Sequence, residues 1–336
     1  MFQPKTILFD LSKTLREKAA RDPSVRLVKD GSPPGMEPDD ESTNIRVSTV
    51  AEGDGEFFAK PIPYEALNGT SEFTHFLDGI QNWRLIGYSG IIPLIYGYTS
   101  AVIRKRDQLG GLMSTWKEPI IEEHLLAPRD RVDLSEFDAA GIPIIDTARW
   151  LKEDSGTISQ FQMAAREGVA WARSSAETRL ADDWGENGGA GWLMVDGRLM
   201  FSTMIPRAVG VIKSHRTHFF PPEEQFSAFQ VPECHRTCAF LPGIETEWEG
   251  DAYSWYMRLR STWNQELTYG LIRVEVMKSP EMLEKVDEIS KWILSERNPI
   301  SAPDERWDRL LYPIHDCEFF LRTFLPSIAY FEALFG

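Results

Sequence analysis

Apolar residues between positions 5 and 21 recur as Ile7, Leu8, Leu11 and Leu15, with charged residues on the other side, which predicts an amphipathic helix. The pattern then stops. Residues 30–56, "DGSPPGMEPDDESTNIRVSTVAEGDGE", are rich in Pro, Gly, Asp, Glu and Ser and read as a loop or flexible arm. From about residue 73, short apolar and aromatic segments broken by Gly, Asn and Ser suggest antiparallel strands joined by turns. Residues 115–190 read as mostly helical. "MSTWKEPIIEEHLLA" and "DTARWLKEDSG" fit short helices. "TISQFQMAAREGVAWARSSAETRLADDW" fits a long one, capped by Thr157 or Ser159 and ended by "GENGG". A strand at 192–195 comes next, then an apolar run at 208–212. "SWYMRLRS" and "GLIRVEVM" alternate as two more strands. The tail returns to helix in "PEMLEKVDEISKWILSE" and "DCEFFLRTFLPSIAYFEALF". This order predicts an α/β or α+β fold around a central mixed sheet. It divides the chain into an N-terminal helix and arm, 1–60, and one large domain, 61–336.

Composition narrows the function classes. The 336 residues carry a net charge of −15, which argues against a protein that coats nucleic acid through overall basicity. A local basic stripe beside a carboxylate site remains compatible with that charge. No apolar stretch is long enough for a bilayer, and the N-terminus lacks the apolar core of a signal peptide, so a cytoplasmic protein without membrane contact is expected. The 3 cysteines fit a reducing compartment rather than a disulfide framework. "CHRTC" gathers Cys234, His235 and Cys238, but a zinc site needs four ligands and no second pair follows, so buried or half-buried thiols are expected.

Four constellations could carry chemistry. "ILFDLSKTL" resembles the nucleophile loop of haloacid-dehalogenase-like phosphatases with Asp10 as nucleophile, but Ser12 replaces the second aspartate, and a solvated helical Asp10 is expected instead. Asp78 and Asp196 each follow an apolar run and precede a glycine. Either they end strands in ordinary turns, or they are carboxylates at strand ends in one sheet, suited to hold a divalent cation for phosphodiester hydrolysis. The long helix between them offers Glu167 and Glu177. Ten residues separate these two, about 80° from whole turns, so they cannot point the same way. Glu167 has the more apolar neighbours and is the preferred third ligand, with Glu177 the alternative. "RAVGVIKSHRTHFF" supplies Arg207, Lys213, His215, Arg216 and His218, and "VIRKRD" supplies Arg104, Lys105 and Arg106. Either cluster could neutralise phosphate or be a solvated strand end. His315 and Asp316 follow Tyr312-Pro313 at a helix start, where a histidine can act as a ligand or proton carrier.

In order, "FLDGIQ", the 157–184 helix, "LMVDGRL", "VGVIKS", "LIRVEV" and "LYPIHD" resemble the NurA family of DNA-end-processing nucleases over roughly residues 70–330. "VDGRL" followed by "GVIKS" is the most specific part. The resemblance implies an RNase H-like mixed central β-sheet flanked by helices, in which an antiparallel meander leads to a glutamate-bearing helix and then to a second acidic strand. It implies Asp78, Asp196 and Glu167 as metal ligands, with Glu177 the alternative. Lys213 would face the phosphate, His315 would be the C-terminal histidine, and Arg273 and Glu275 would line the cleft. It also implies Mn²⁺, or Mg²⁺ in its place, single-stranded DNA or duplex ends as substrate, a homodimer, and a HerA-like hexameric DNA-translocating ATPase as partner. Ile80 and Arg198 stand where the family has serines. "KDGS" at 29–32 mimics the first motif, but no apolar strand precedes it. The runner-up expectation is a non-catalytic scaffold of the same fold that docks or regulates a motor ATPase.

Overall fold

Two long strands set the frame. In a computed structural model, β1 (Phe73–Ser89) and β2 (Ile92–Arg106) form one antiparallel hairpin, irregular only between Leu85 and Gly87. The structure describes residues 6–28, 44–45, 48–63, 71–107, 112–152, 156–188, 191–200, 204–215, 217–243, 252–262, 265–297, 309 and 311–335. Glycines that read as breaks between short segments lie inside these strands, where neighbouring chain packs too closely for a side chain.

β3 (Ile120–Ala127) adds to β2 antiparallel, and β4 (Ile144–Asp146) adds to β3 parallel. This corrects the helix expected in "MSTWKEPIIEEHLLA". Its paired isoleucines and leucines suit a strand equally well, and pairing with the distant β2 decides the outcome. Likewise "DTARWLKEDSG" begins as a single 3₁₀ turn, Thr147–Trp150, with residues 153–155 outside the described ones.

The long helix forms as expected: α2 (Ile158–Asn187) opens on a reciprocal capping box between Thr157 and Gln160 and closes at Gly188. It lies across one face of the sheet and buries Ala164, Val169, Ala172, Ala176, Leu180 and Trp184. The chain returns as β5 (Trp192–Asp196), parallel to β1, and continues as β6 (Ala208–Ile212), parallel to β5. β7 (Ala252–Arg258) and β8 (Leu271–Met277) are an antiparallel pair, with β8 against β6. The sheet therefore runs β7-β8-β6-β5-β1-β2-β3-β4. Beyond β7 lie the short strands Phe240–Leu241 and Thr49–Val50, the second within the stretch expected to be a loop. Residues 29–43 of that stretch, including "KDGS", lie outside the described residues.

The opposite face is covered by α3 (Val286–Glu296) and α4 (Tyr312–Arg322), whose Ile289, Ile293, Ile314, Cys317 and Leu321 pack with Phe76, Val102, Met194, Val209 and Val274. At the far end of the hairpin, α1 (Leu8–Arg21) and α5 (Ile328–Phe335) bury Leu8, Leu11, Leu15 and Phe331 with Leu94 and Tyr96. Asp10 is exposed on α1, which removes the phosphatase-like loop. The architecture is thus α/β, a large mixed sheet between helices. Among the described residues, no helix is long and apolar enough to cross a membrane. Cys234 is half-buried, Cys238 and Cys317 are buried, and all three are free thiols.

Candidate functional site

Parallel pairing sets the two aspartates side by side. Val195 of β5 is level with Leu77 of β1, so Asp196 comes level with Asp78 on the next strand. Side chains alternate along a strand. Leu77 and Val195 pack with Ala176 and Leu180 of α2, so Asp78 and Asp196 turn to the other face, where Phe76 and Met194 meet α4. Asp78 lies in mid-strand rather than in a turn and is 5 % exposed, its Oδ1 accepting the Gly79 N–H at 2.7 Å. Burial, reinforced by the neighbouring charge of Asp196, pushes its carboxyl well above the usual range, against the pull of Lys213. Asp196 does end its strand, as expected. Gly197 follows at φ 117°, a left-handed conformation that suits glycine, and its N–H is held by the Val211 carbonyl at 2.8 Å. Asp196 Oδ1 receives Lys213 Nζ at 2.7 Å.

The third carboxylate is Glu177, and the preference for Glu167 is corrected. Glu167 is exposed, and the Met163 and Trp171 beside it are exposed too, so this apolar flank faces solvent. Glu177 sits over Gly79: a Cβ placed on that glycine would come 2.5 Å from Glu177 Oε1. Gly79 thus serves as space for a carboxylate. Arg173 holds that carboxylate at 2.7 Å and reaches Gln81 at 3.2 Å. Burial raises the Glu177 carboxyl to about 7 despite Arg173, and Asp196 adds to the rise. Because Gly79 faces α2 and Asp78 faces α4, Glu177 approaches the aspartate pair from the opposite side of the sheet, at the end of β5.

Of the cationic residues, Lys213 joins the site. Arg207 is exposed at the start of β6, and Arg216 lies outside the described residues. His215 donates from Nε2 to the Leu271 carbonyl, 2.9 Å away, and packs against Phe229 and Tyr256, while His218 packs on Phe229. In the other cluster, Arg104 is taken up by Asp316 at 2.7 Å and Arg106 by Glu296 at 2.6 Å, while Lys105 is exposed. The first two lock the tail helices to the sheet, and their partners lie too far away in sequence to be foreseen. Asp316 is thereby committed to the same lock.

His315 is partly exposed in the first turn of α4, its Nδ1 3.9 Å from Glu318 in that helix, and no described contact joins it to the aspartates. Arg273 and Glu275 are buried rather than lining an open cleft. They pair at 2.6 Å, and Glu275 accepts the Leu199 N–H at 3.2 Å. Arg198 approaches the same carboxylate at 3.8 Å. These contacts brace the turn that follows Asp196. Cys317, which sequence reasoning passed over, lies close enough to Asp78 that burial and that charge together push its thiol upward.

The arrangement concentrates three acids at the end of β5, two of them held by cations. Among the described residues, no three His, Cys, Asp or Glu side chains converge as a ready-made metal cage. A hard divalent ion, however, is often bound through one or two carboxylates, with water and substrate phosphate completing its shell, and the adjacent Asp78 and Asp196 suit that donor set. No protein-family model matches the chain, and no curated protein matches it.

Proposed function

We propose that this protein is a metal-dependent DNA nuclease with an RNase H-like, NurA-like core. The observation that carries the reading is the Asp78–Asp196 pair, two level carboxylates on adjacent parallel strands, one of them buried where ionisation is unfavourable. A fold has no structural use for such a pair, whereas a site that binds cations does. The strand order supports it: an antiparallel meander, then α2, then an acidic strand parallel to the first, in the sequence that the motif resemblance implies. DNA as substrate, a homodimer and a HerA-like hexameric ATPase as partner rest on that resemblance, and co-purification with such a motor tests the last of these.

Asp78 and Asp196 would hold Mn²⁺ or Mg²⁺, with Glu177 at their flank; when bound, the ion lowers the pKa of an attacking water and neutralises phosphate charge. Lys213 pairs with Asp196 at 2.7 Å and places a cation where a phosphodiester would lie. Arg173 fixes Glu177, and the buried Glu275 anchors the turn behind Asp196. In the test, purified protein with Mn²⁺ degrades single-stranded or end-bearing DNA and stops in EDTA, and Asp196→Asn abolishes the cleavage. Cleavage that survives in both Asp78→Asn and Asp196→Asn overturns the reading.

One observation favours a second reading, a non-catalytic scaffold that docks a motor ATPase: Lys213 and Arg173 occupy two of the three acids. Absence of Mn²⁺ binding by calorimetry, together with a stable complex with the ATPase, would select it.

A further inference from the structure

The two cations beside the candidate site are not held alike. Arg173 reaches Glu177 within its own helix at 2.7 Å and is braced on Gln81 at 3.2 Å, so its planar fork is fixed at two points. Lys213 meets Asp196 from another strand. Val209 and Val211 share one core with Phe76 and Met194, and alternate side chains of a strand share a face. Lys213, two residues beyond Val211, therefore continues along the face that carries Asp78 and Asp196. Val211 is level with Asp196 across the β5–β6 pair, so the lysine stem reaches back to the strand end, Nζ 2.7 Å from Asp196 Oδ1. The Lys213 backbone is anchored, its carbonyl accepting an Arg309 Nη1 N–H at 3.4 Å. Its side chain is a flexible four-carbon stem, 24 % exposed, that ends in a point charge. The charge can move while its root stays.

Asp196 is asked to serve two cations. An ammonium already sits on its Oδ1, and a divalent ion held by the Asp78–Asp196 pair would draw on the same carboxylate. Two cations on one carboxylate repel, and the largely enclosed setting of this pair weakens the screening that water would give. We propose that Lys213 is a built-in counter-cation that competes with the divalent ion for Asp196. While no metal is bound, the ammonium balances two neighbouring carboxylates. When one binds, Lys213 leaves Asp196 and is free to meet an anionic group of the substrate. Arg173, with its two anchors, stays on Glu177 throughout. The competition raises the metal concentration at which the site fills, so the ion and the substrate anion assist each other: the anion takes up the ammonium that the metal displaces.

This inference rests on the proposed metal site, and its test uses the full chain without DNA. Mn²⁺ binding is measured by calorimetry. The accessibility of Lys213 is measured by limited acetylation with acetic anhydride, read by mass spectrometry, with and without Mn²⁺. Lys213→Met removes the charge and is expected to bind Mn²⁺ about fivefold more tightly than wild type, the equivalent of about 1 kcal/mol of lost ion pairing. Arg207→Met removes a charge from the exposed residue before β6 and should leave the affinity unchanged. In wild type, Mn²⁺ should raise the acetylation of Lys213. Asp196→Asn should raise it already without the metal, and Mn²⁺ should then add nothing. The wild-type acetylation decides the matter even if Lys213→Met folds poorly. Equal affinity of wild type and Lys213→Met overturns the competition, as does equal tightening by Arg207→Met. No Mn²⁺ binding by either protein, or a Lys213 that Mn²⁺ leaves protected, overturns it too. Metal-dependent release of Lys213 in a protein that never cleaves DNA leaves the competition standing and removes the nuclease reading. Mn²⁺-dependent cleavage with Lys213 still protected does the reverse.

Discussion

Asp78 illustrates what the candidate site costs the fold. Its carboxylate is buried beside a second one, and its pKa is raised, so the ionised form is less comfortable in the folded chain than in the unfolded chain at neutral pH. Asp78→Asn keeps the shape and removes the repulsion. We expect it to eliminate Mn²⁺-dependent cleavage while stabilising the protein by about 1 kcal/mol, read as a melting temperature raised by about 2–4 °C. A lowered melting temperature would mean that the carboxylate has a structural task. Gly79 yields a second residue-scale prediction. Gly79→Ala places a methyl group 2.5 Å from Glu177 Oε1 and 3.0 Å from the Ser100 carbonyl oxygen, and should cost about 1–3 kcal/mol in urea denaturation. In a Glu177→Ala background only the carbonyl contact remains, so the same substitution should cost about 1 kcal/mol less. Additive effects would show that the glycine is not there to accommodate the glutamate.

The turn behind Asp196 is held by a buried carboxylate from another strand. β8 supplies Glu275, which ties the turn after β5 and neutralises Arg273, itself nearly enclosed. Glu275→Ala leaves that arginine without its acid and should lose about 3–5 kcal/mol, whereas Glu275→Gln, which can still accept from Leu199, should lose less. Equilibrium unfolding of the two variants distinguishes these outcomes. The same distinction between local and distant partners explains what could be read from the sequence. α2, β5, β6, β7 and β8 announce themselves because their caps and periodicity lie within their own residues, and so do the two aspartates that follow apolar runs. β3 does not, since "IIEEHLLA" is ambiguous until it lies beside β2. Nor does the choice of Glu177 over Glu167. Which face of α2 meets the site depends on where the helix crosses β1, and the signal, a glycine after Asp78, has meaning only when the two are seen together. Arg104 and Arg106 read as a basic patch because Asp316 and Glu296 come from the distant tail.

At the scale of the whole molecule, buried histidines set the acid limit. Burial lowers His75 to about 4, and it lowers His215 to about 4 with the Arg309, Arg273 and Arg258 charges adding to the effect. A histidine whose folded pKa lies below its unfolded value contributes stability above the unfolded value and loses it as pH falls. Stability should therefore decline between about pH 6.5 and pH 4 as the unfolded chain takes up protons that the folded one refuses. His215→Phe should flatten part of that decline in melting temperature measured against pH. The outermost strands raise a different matter. Among the described residues the main path of the sheet ends at β4 on one side and Thr49–Val50 on the other, and β4 pairs only with Leu125–Ala127, so the outer side of Ile120–His124 has no strand partner. An open edge of that length is one a neighbouring strand could extend, and the acidic Glu122 and Glu123 within it are the kind of residue that discourages such pairing.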